Sequence, residues 1–246
     1  MPLPFRTLAA GVLPQAVHTA VLDALALVMP VECAGCGRAD RSLCSECRGI
    51  LAGSPVRREL PWGTLHTSLE YDGVVRAVIL DFKENGRPDV AAALAVPLGA
   101  AIRAACAAVP GRAELLRVPP SVAGLRRRGF DPVSRVLRHA RLRGSAGLRM
   151  ARSGAAQKTL GIGEREANRS GSMSSRRSLE GRSFILVDDI VTTGATLADA
   201  ARAVRAGGGE VVGAAAIAFT RRRRESSASI AERSLRGGGE LGAEGV

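Results

Sequence analysis

The chain has 246 residues, of which 46% are hydrophobic, so it is long enough for one full domain and a smaller unit with a buried core. Its 35 Lys and Arg residues outnumber its 23 Asp and Glu residues, and the formal net charge of +12 favours a polyanionic partner. This composition excludes a chain that is disordered throughout, and the lack of an apolar run of transmembrane length excludes a membrane-spanning helix.

The surplus of positive charge lies mainly in one quarter of the chain. Residues 121–182 include fifteen Lys and Arg residues and only four acidic residues, which gives a local net charge of +11. Arginine predominates over lysine, and its planar guanidinium group can grip a phosphate through two hydrogen bonds. The segment suits a polyphosphate ligand or a nucleic acid, and a solvated basic face is the alternative.

The first predicted element is a helix over residues 15–28, whose apolar residues recur at helical spacing. Pro14, His18 and Asp23 interrupt the apolar stretch, which is therefore not typical of a secretory signal peptide. We expect a cytoplasmic protein with reduced thiols, and we assign residues 1–30 to this N-terminal helical region.

Four of the five cysteines form two Cys-x-x-Cys pairs within residues 31–60. Each pair can present two thiolates to one ion, and four thiolates at about 2.3 Å form a closed tetrahedral zinc site. The pattern predicts a structural zinc ribbon, with disulfides or a redox pair as the alternatives. The fifth cysteine, Cys106, is expected to be a small core residue of an Ala-rich helix. The predicted zinc ligands are Cys33, Cys36, Cys44 and Cys47.

Beyond the cysteines, predicted strands alternate with predicted helices, which indicates an α/β fold with a parallel sheet flanked by helices. Residues 61–220 should form this main domain, and residues 221–246 a disordered, solvated tail. The predicted strands are residues 64–71, 115–119, 148–151, 184–188 and 211–219, and the predicted helices are residues 73–83, 89–108, 132–143 and 195–206.

The most informative segment is the predicted strand 184–188 with the loop after it. Asp188 and Asp189 stand at the C-terminal end of the strand, where open α/β sheets bind ligands. Their carboxylates suit sugar hydroxyls or a magnesium ion. The next loop has small and hydroxyl residues before a helix, whose N–H groups and dipole can hold a phosphate. The segment therefore predicts a ribose 5-phosphate site, with the loop residues Thr192, Thr193, Gly194, Ala195 and Thr196.

This segment resembles the signature of type I phosphoribosyltransferases, and the chain as a whole resembles the ComF family, which is named for bacterial competence. The likeness covers about residues 20–220, and it also rests on the cysteine pairs, the run from Tyr71 to Lys83, Val118-Pro119, the run from Arg126 to Phe130, and residues 157–168. The resemblance implies a type I phosphoribosyltransferase-like sheet after an N-terminal zinc ribbon with four cysteine ligands.

The resemblance also implies a ligand, phosphoribosyl pyrophosphate, bound together with magnesium. Asp188 and Asp189 would hold the ribose hydroxyls and help to position magnesium, and the loop from Thr192 to Thr196 would hold the 5-phosphate. Residues 157–168 would form a hood that closes over the site.

Two departures from the family pattern lie near the expected pyrophosphate. Pro120-Ser121 stands where the family has Val-Pro, and Asp131-Pro132 stands where it has Asn-Gln. The candidate phosphate or pyrophosphate contacts are Lys83, Pro119, Arg126 and Arg128. The alternative for Lys83 is a cation that only the dipole of its own helix favours, and the alternative for the arginines is a solvated surface or binding to nucleic acid.

Three functions stay open at this point. The chain is an enzyme that transfers ribosyl phosphate, as in nucleotide salvage, or a single-stranded DNA-binding competence module with a nucleotide-sensing core, or a regulator that controls a partner. The family name implies DNA uptake and other competence proteins as partners, and the basic segment favours DNA binding. The sequence identifies neither the acceptor of a transfer reaction nor a catalytic base.

Overall fold

The computed structural model describes residues 31–39, 41–150 and 172–221. The predicted N-terminal helix, the predicted hood and all but the first residue of the predicted tail lie outside these described residues. Within them, the fold is mixed α/β with a mainly parallel sheet flanked by helices, as the alternating pattern predicts. None of the described helices has the length and apolar character needed to cross a membrane.

The described strands form a large and a small sheet. They are β1 (Val56–Leu60), β2 (Gly63–Glu70), β3 (Glu114–Arg117), β4 (Leu148–Met150), β5 (Met173–Ser175), β6 (Ser183–Val191) and β7 (Glu210–Phe219). The large sheet has the order β1-β2-β7-β6-β3, in which β1 is antiparallel to β2 and the other neighbours are parallel. Strands β4 and β5 pair antiparallel as the small sheet.

Helices cover both faces of the large sheet. They are α1 (Ser45–Ile50), α2 (Gly73–Glu84), α3 (Ala91–Ala107), α4 (Val122–Arg128), α5 (Pro132–His139) and α6 (Ala195–Ala206). Alternate residues of β6 point to opposite faces, as the strand period requires. Ile185 and Val187 join the core formed with α2, α3 and α5, whereas Phe184 and Leu186 join the core formed with α6.

Two element boundaries differ from the prediction in a way that shapes the site. Helix α5 ends at His139 instead of residue 143, because Arg141 has a φ of 56° and the helix cannot continue through it. Strand β6 continues to Val191 instead of ending at Asp188, because it stays paired with β7, whereas β3 already ends opposite Val187. Asp188 and Asp189 therefore lie in a part of β6 that is paired with β7 but extends beyond the end of β3.

The elements not predicted from the sequence are strand β1, helix α4, the short helix α1 and the three-residue strand β5. Strand β1 has three charged residues and lies at the sheet edge, so it lacks the apolar alternation of a half-buried strand. Helix α4 lies between the predicted strand 115–119 and the predicted helix 132–143, where no element is predicted. Ser121 caps its N-terminus through an Oγ that accepts a hydrogen bond from the Gly124 N–H at 3.1 Å, and Gly129, whose φ is 71°, caps its C-terminus.

Candidate functional site

A cavity of about 450 Å³ lies at the C-terminal ends of β3 and β6. Because β3 ends first, the following residues of β6 border the opening on one side, and the chain that leaves β3 borders it on the other. Residues from eight parts of the chain meet here, namely the end of α2, the loop after β3, α4, the start of α5, β4, the β5 segment, β6 and α6. The sequence-predicted residues that line the cavity are Lys83, Pro119, Arg128, Asp188, Asp189 and Thr196.

The loop between β6 and α6 borders a second, narrow cavity of about 20 Å³. Thr192, Gly194 and Thr196 line it, and Thr193 turns its Oγ to accept a hydrogen bond from the Ala195 N–H at 3.3 Å. Gly194 occupies the cap position of α6 and has no side chain with which to cap the helix. The first turn of this twelve-residue helix borders the cavity through Thr196 and Leu197, which is an arrangement that favours an anion.

The acid pair Asp188 and Asp189 is held by backbone donors and by one lysine. The N–H of Asp189 donates to Asp188 Oδ1 at 2.8 Å, and the N–H of Ile190 donates to Asp189 Oδ1 at 2.7 Å. Lys83 Nζ lies 2.8 Å from Asp189 Oδ1. The lysine predicted as a phosphate contact thus binds one of the two acids.

Burial and, after it, the charge of Asp189 raise the pKa of Asp188 to about 7. The Asp189 N–H and the Lys83 ammonium oppose this shift, and the more distant charge of Asp131 adds to it. Asp188 is therefore present in both its protonated and its ionised form near neutral pH. The protonated form can donate a hydrogen bond, and the ionised form can only accept one.

Asp131, which stands where the resembled family has Asn, forms hydrogen bonds within the protein's own structure. Its Oδ2 accepts a hydrogen bond from Arg117 Nη1, and its Oδ1 accepts one from the Ser134 N–H at 3.0 Å, which caps α5. Arg117 also donates from Nε to the carbonyl oxygen of Gly144 at 3.1 Å. Asp131 lines the cavity with its charge compensated, so it adds little repulsion toward an anionic ligand.

The three consecutive arginines of α4 have different surroundings in the structure, which the sequence alone does not indicate. Arg128 is half-buried at the cavity, and its buried Nε has no hydrogen-bond partner among the described residues. Its guanidinium group lies close over Gly124, where a Cβ would come within 2.6 Å of Nη2. Arg127 instead pairs with Glu84 at 2.7 Å on the surface, and Arg126 is exposed and is not among the described residues that line the cavity. An anion in the cavity would satisfy the orphan donor of Arg128.

Sequence reasoning missed Asp199, which is buried and lines the cavity from α6. Its carboxylate accepts hydrogen bonds from Ser172 Oγ at 2.7 Å and from Arg202 Nε at 2.9 Å. The signal was an acid on the buried face of a predicted helix, between Leu197 and Ala200, where a charged residue is uncommon. Asp199 holds the start of the β5 segment against α6, beside the cavity.

The four predicted zinc ligands come together. The sulfur atoms of Cys33, Cys36, Cys44 and Cys47 all lie within 4.8 Å of one another, and the Cys36 and Cys44 sulfurs are 3.8 Å apart. Tetrahedral zinc with Zn–S bonds of about 2.3 Å places its sulfurs roughly 3.8 Å apart, whereas a disulfide requires about 2.05 Å. All four residues are free cysteines, so the donor set and its spacing fit a structural zinc ion.

The electrostatics of Cys33 suit a metal ligand. Burial acts to raise the pKa of its thiol, but the N–H groups of Cys44, Cys36 and Gly35 outweigh burial and lower the pKa to about 6. Since zinc binds the thiolate form, these backbone donors prepare the residue for the ion.

The cysteine segment is fixed to the helix that carries Lys83. Cys33, Cys44 and Cys47 belong to the same core as the apolar face of α2. Arg87 adds polar ties, because it donates to the carbonyl oxygen of Glu32 at 3.2 Å and pairs with Asp81 of α2 at 3.2 Å. Cys106, in contrast, is exposed near the end of α3, so the expectation of a core residue is wrong.

Comparison with known proteins gives two kinds of similarity. Residues 112–235 match the family described as phosphoribosyl transferase domain. The chain is also 29% identical over 198 residues to the DNA utilization protein YhgH of Escherichia coli O6:H1 (strain CFT073), in an alignment that covers 73% of this chain and 85% of the relative. It is 29% identical over 201 residues to the proteins of the same name from Shigella flexneri and from Escherichia coli strain K12, with 73% of this chain and 86% of each relative covered.

Proposed function

This chain belongs to the phosphoribosyl transferase domain family, as a member of the ComF type, and from that premise we propose that it binds phosphoribosyl pyrophosphate beside Asp188 and Asp189. The observation that carries the proposal is that the two cavities adjoin. Asp188 and Thr196 line both the larger cavity and the narrow one at the start of α6. Carboxylate acceptors for ribose hydroxyls thus stand next to backbone donors for a 5-phosphate, and a ribose 5-phosphate unit needs both.

Each part of the ligand has a counterpart in this arrangement. The acid pair accepts hydrogen bonds from the ribose hydroxyls, and the loop from Thr192 to Thr196 binds the 5-phosphate. The pyrophosphate lies toward Arg128, whose buried Nε lacks a partner among the described residues, and toward Pro119 and the start of α4. Magnesium bound to the pyrophosphate, which Asp188 and Asp189 would help to position, would neutralise its charge.

We also propose that the cysteine cluster holds one structural zinc ion. Four protein thiolates complete a tetrahedral shell, so the ion would stabilise the fold and would take no direct part in chemistry. Because the cluster shares a core with α2, its stability supports the helix that delivers Lys83 to the cavity.

The ligand proposal is tested by thermal unfolding of the full chain with phosphoribosyl pyrophosphate and magnesium. A ligand at about 100 times its dissociation constant adds about 2.7 kcal/mol, which raises the melting temperature by roughly 5–10 °C. We expect Asp188→Asn and Asp189→Asn to abolish the rise. Glu180→Gln is the matched control, since it removes an exposed carboxylate that does not border the cavity. The absence of any rise at millimolar ligand would refute the proposal.

The same preparation tests catalysis. Release of pyrophosphate in the presence of a free nucleobase, and its loss in Asp189→Asn, would identify a transferase. Binding of the ligand without release of pyrophosphate for any nucleobase would instead identify a sensor.

A second candidate function, favoured by the local charge of +11 and by the relatives' name, is binding of single-stranded DNA. Arg126 and Arg138 are exposed and lie in the basic segment. Fluorescence anisotropy with a labelled oligothymidine should give an affinity that falls steeply with salt, and that weakens in the Arg126→Ala, Arg138→Ala double variant. Arg57→Ala is the control, because Arg57 lies outside the basic segment and pairs with Glu59. An affinity that does not change with salt would count against this function.

A further inference from the structure

Lys83 reaches the cavity from the last turn of α2, which lies upstream of the residues that match the family. The preceding residue, Phe82, is buried, and its ring lies 5.5 Å from the ring of Phe130, which holds the end of the helix in place. Lys83 Nζ lies 2.8 Å from Asp189 Oδ1, and the two side chains are only 18% and 15% exposed. A pair shielded to this degree interacts more strongly than an ion pair on the surface.

The other acids at the cavity have their own cations. Asp131 is paired with Arg117, and Asp199 is paired with Arg202 at 2.7 Å. Within residues 31–39, 41–150 and 172–221, Lys83 is the cationic side chain that contacts the acid pair. A positive charge beside the acid pair therefore already belongs to the protein.

We propose that Lys83 is a built-in counter-ion of Asp189 that takes the place of a divalent cation, so that ribose monophosphates bind in the cavity without magnesium. The inference rests on the proposed function of this cavity and specifies its ligand classes. An ammonium group has three N–H donors, and the one that Asp189 engages leaves two for oxygens of the ligand. Asp189 keeps the capacity to accept hydrogen bonds from ribose hydroxyls.

The geometry of the ion pair supports this assignment. Lys83 Nζ lies 2.8 Å from Asp189 Oδ1, and both side chains are largely shielded from solvent, so one of the two carboxylates already has a cation beside it. Ligands that carry a pyrophosphate group should therefore require magnesium, because the pyrophosphate brings negative charge of its own. Ligands that carry only ribose and one phosphate should not require it.

Isothermal titration calorimetry of the full chain with ribose 5-phosphate, in EDTA and in excess magnesium, tests the proposal. We expect the wild-type affinity to agree within about twofold between the two buffers. Lys83→Met should weaken binding in EDTA by at least about tenfold, which corresponds to about 1.4 kcal/mol, and magnesium should restore most of the loss. Lys83→Arg, which keeps the cation, should retain binding in EDTA.

The matched control is Arg127→Met, which removes a cation from the surface pair with Glu84 at the end of the same helix and should leave both affinities unchanged. Wild-type binding of ribose 5-phosphate that requires magnesium would overturn the inference, and so would a Lys83→Met variant that binds as tightly as wild type in EDTA. Phosphoribosyl pyrophosphate with magnesium is titrated in parallel. If phosphoribosyl pyrophosphate does not bind, the proposed function is contradicted. If it binds but either of the two results above is obtained, only the role of Lys83 is contradicted.

Discussion

The indole Nε1 of Trp62 lies 3.3 Å from the position that a Cβ on Gly194 would occupy, so the turn between β1 and β2 packs directly against the loop that begins α6. Leu60 Cδ1 lies 3.2 Å from the same position. The carbonyl oxygen of Trp62 also accepts a hydrogen bond from Arg205, near the end of α6, at 3.2 Å. The shape of the predicted phosphate loop therefore depends on a hairpin that precedes the family-matched residues.

Substitution of Gly194 by alanine should damage this loop in two ways. Gly194 has a φ of 80°, and an L-residue in this region costs roughly 1–2 kcal/mol. The added methyl group would also press on Trp62 and Leu60. We expect the free energy of unfolding in urea to fall by at least this amount, and the affinity for ribose 5-phosphate to fall several-fold. Trp62 is the single tryptophan of the chain, so its fluorescence reports both changes.

Gly181→Ala is the control that separates the two effects. Gly181 has a φ of 69°, but its Cβ would meet open space. This variant should lose about 1–2 kcal/mol of stability through its backbone alone and keep its ligand affinity. Equal losses of affinity in the two alanine variants would show that the contact with Trp62 does not shape the loop.

Arg141 offers a stabilising substitution. It follows the end of α5 with a φ of 56°, and the N–H groups of Arg141 and Leu142 donate to the carbonyl oxygens of Arg138 and Leu137 at 3.1 and 2.9 Å. This is a Schellman motif with arginine at the position that usually holds glycine. We expect Arg141→Gly to raise the free energy of unfolding by about 0.5–1 kcal/mol, measured by urea denaturation.

Arg141→Ala distinguishes relief of backbone strain from removal of a charge in the basic segment. It removes the charge and keeps the Cβ, so it should leave the stability close to that of wild type. A gain in the alanine variant as large as that in the glycine variant would assign the effect to charge repulsion and would contradict the backbone explanation.

The raised pKa of Asp188 makes the stability of the protein depend on pH. The folded state holds this proton up to about pH 7, whereas the unfolded state releases it near the ordinary value of 3.8. The contribution of Asp188 is therefore fully present below about pH 4 and is lost as the pH rises through about 7. Asp188→Asn removes this titration and should gain stability relative to wild type between these limits.

Urea denaturation at several values of pH between 4 and 8 measures the difference. We expect the stability of Asp188→Asn relative to wild type to increase by at least about 1.4 kcal/mol from the lower to the upper pH, which is the equivalent of one pKa unit. Glu180→Gln, in which an exposed carboxylate is removed, should follow the wild-type pH dependence. Parallel curves for wild type and Asp188→Asn would mean that Asp188 has an ordinary pKa.

The parts of the molecule that the sequence predicts well are those that local chemistry determines. The strand before Asp188 is a continuous apolar run, and α6 has the predicted bounds, Ala195–Ala206, because the Gly194 cap and the helical pattern both indicate its limits. The Cys-x-x-Cys spacing likewise brings the four sulfurs together.

The parts that the sequence does not predict depend on tertiary contacts. Nothing local in the run Arg126 to Arg128 indicates that Arg128 enters the cavity while Arg127 pairs with Glu84. Strand β1 exists because β2 pairs with it, and the contact between Trp62 and Gly194 joins segments far apart in the chain. The ion pair between Lys83 and Asp189 joins α2 to β6 and has no signature at either position alone.

Loss of the proposed zinc ion should reach beyond the four cysteines, because Cys33, Cys44 and Cys47 share a core with α2. Without the ion, burial and the neighbouring cysteines raise the pKa of Cys47, so the cluster takes up protons, and the segment that holds it loses its tether. We expect the purified chain to contain one zinc ion by elemental analysis. Its removal by a chelator should lower the free energy of unfolding, and each kcal/mol lost lowers the melting temperature by roughly 2–4 °C.

Cys36→Ser and Cys106→Ser form the matched pair for this test, since each removes an exposed thiol and only the first belongs to the cluster. Cys36→Ser should bind zinc weakly and melt near the temperature of the chelated wild type, with little further change on addition of chelator. Cys106→Ser should keep one zinc ion and the wild-type response. If the purified chain held no zinc and Cys36→Ser kept the wild-type stability, the four sulfurs would have come together by packing alone, and the cluster would be a small thiol core instead of a metal site.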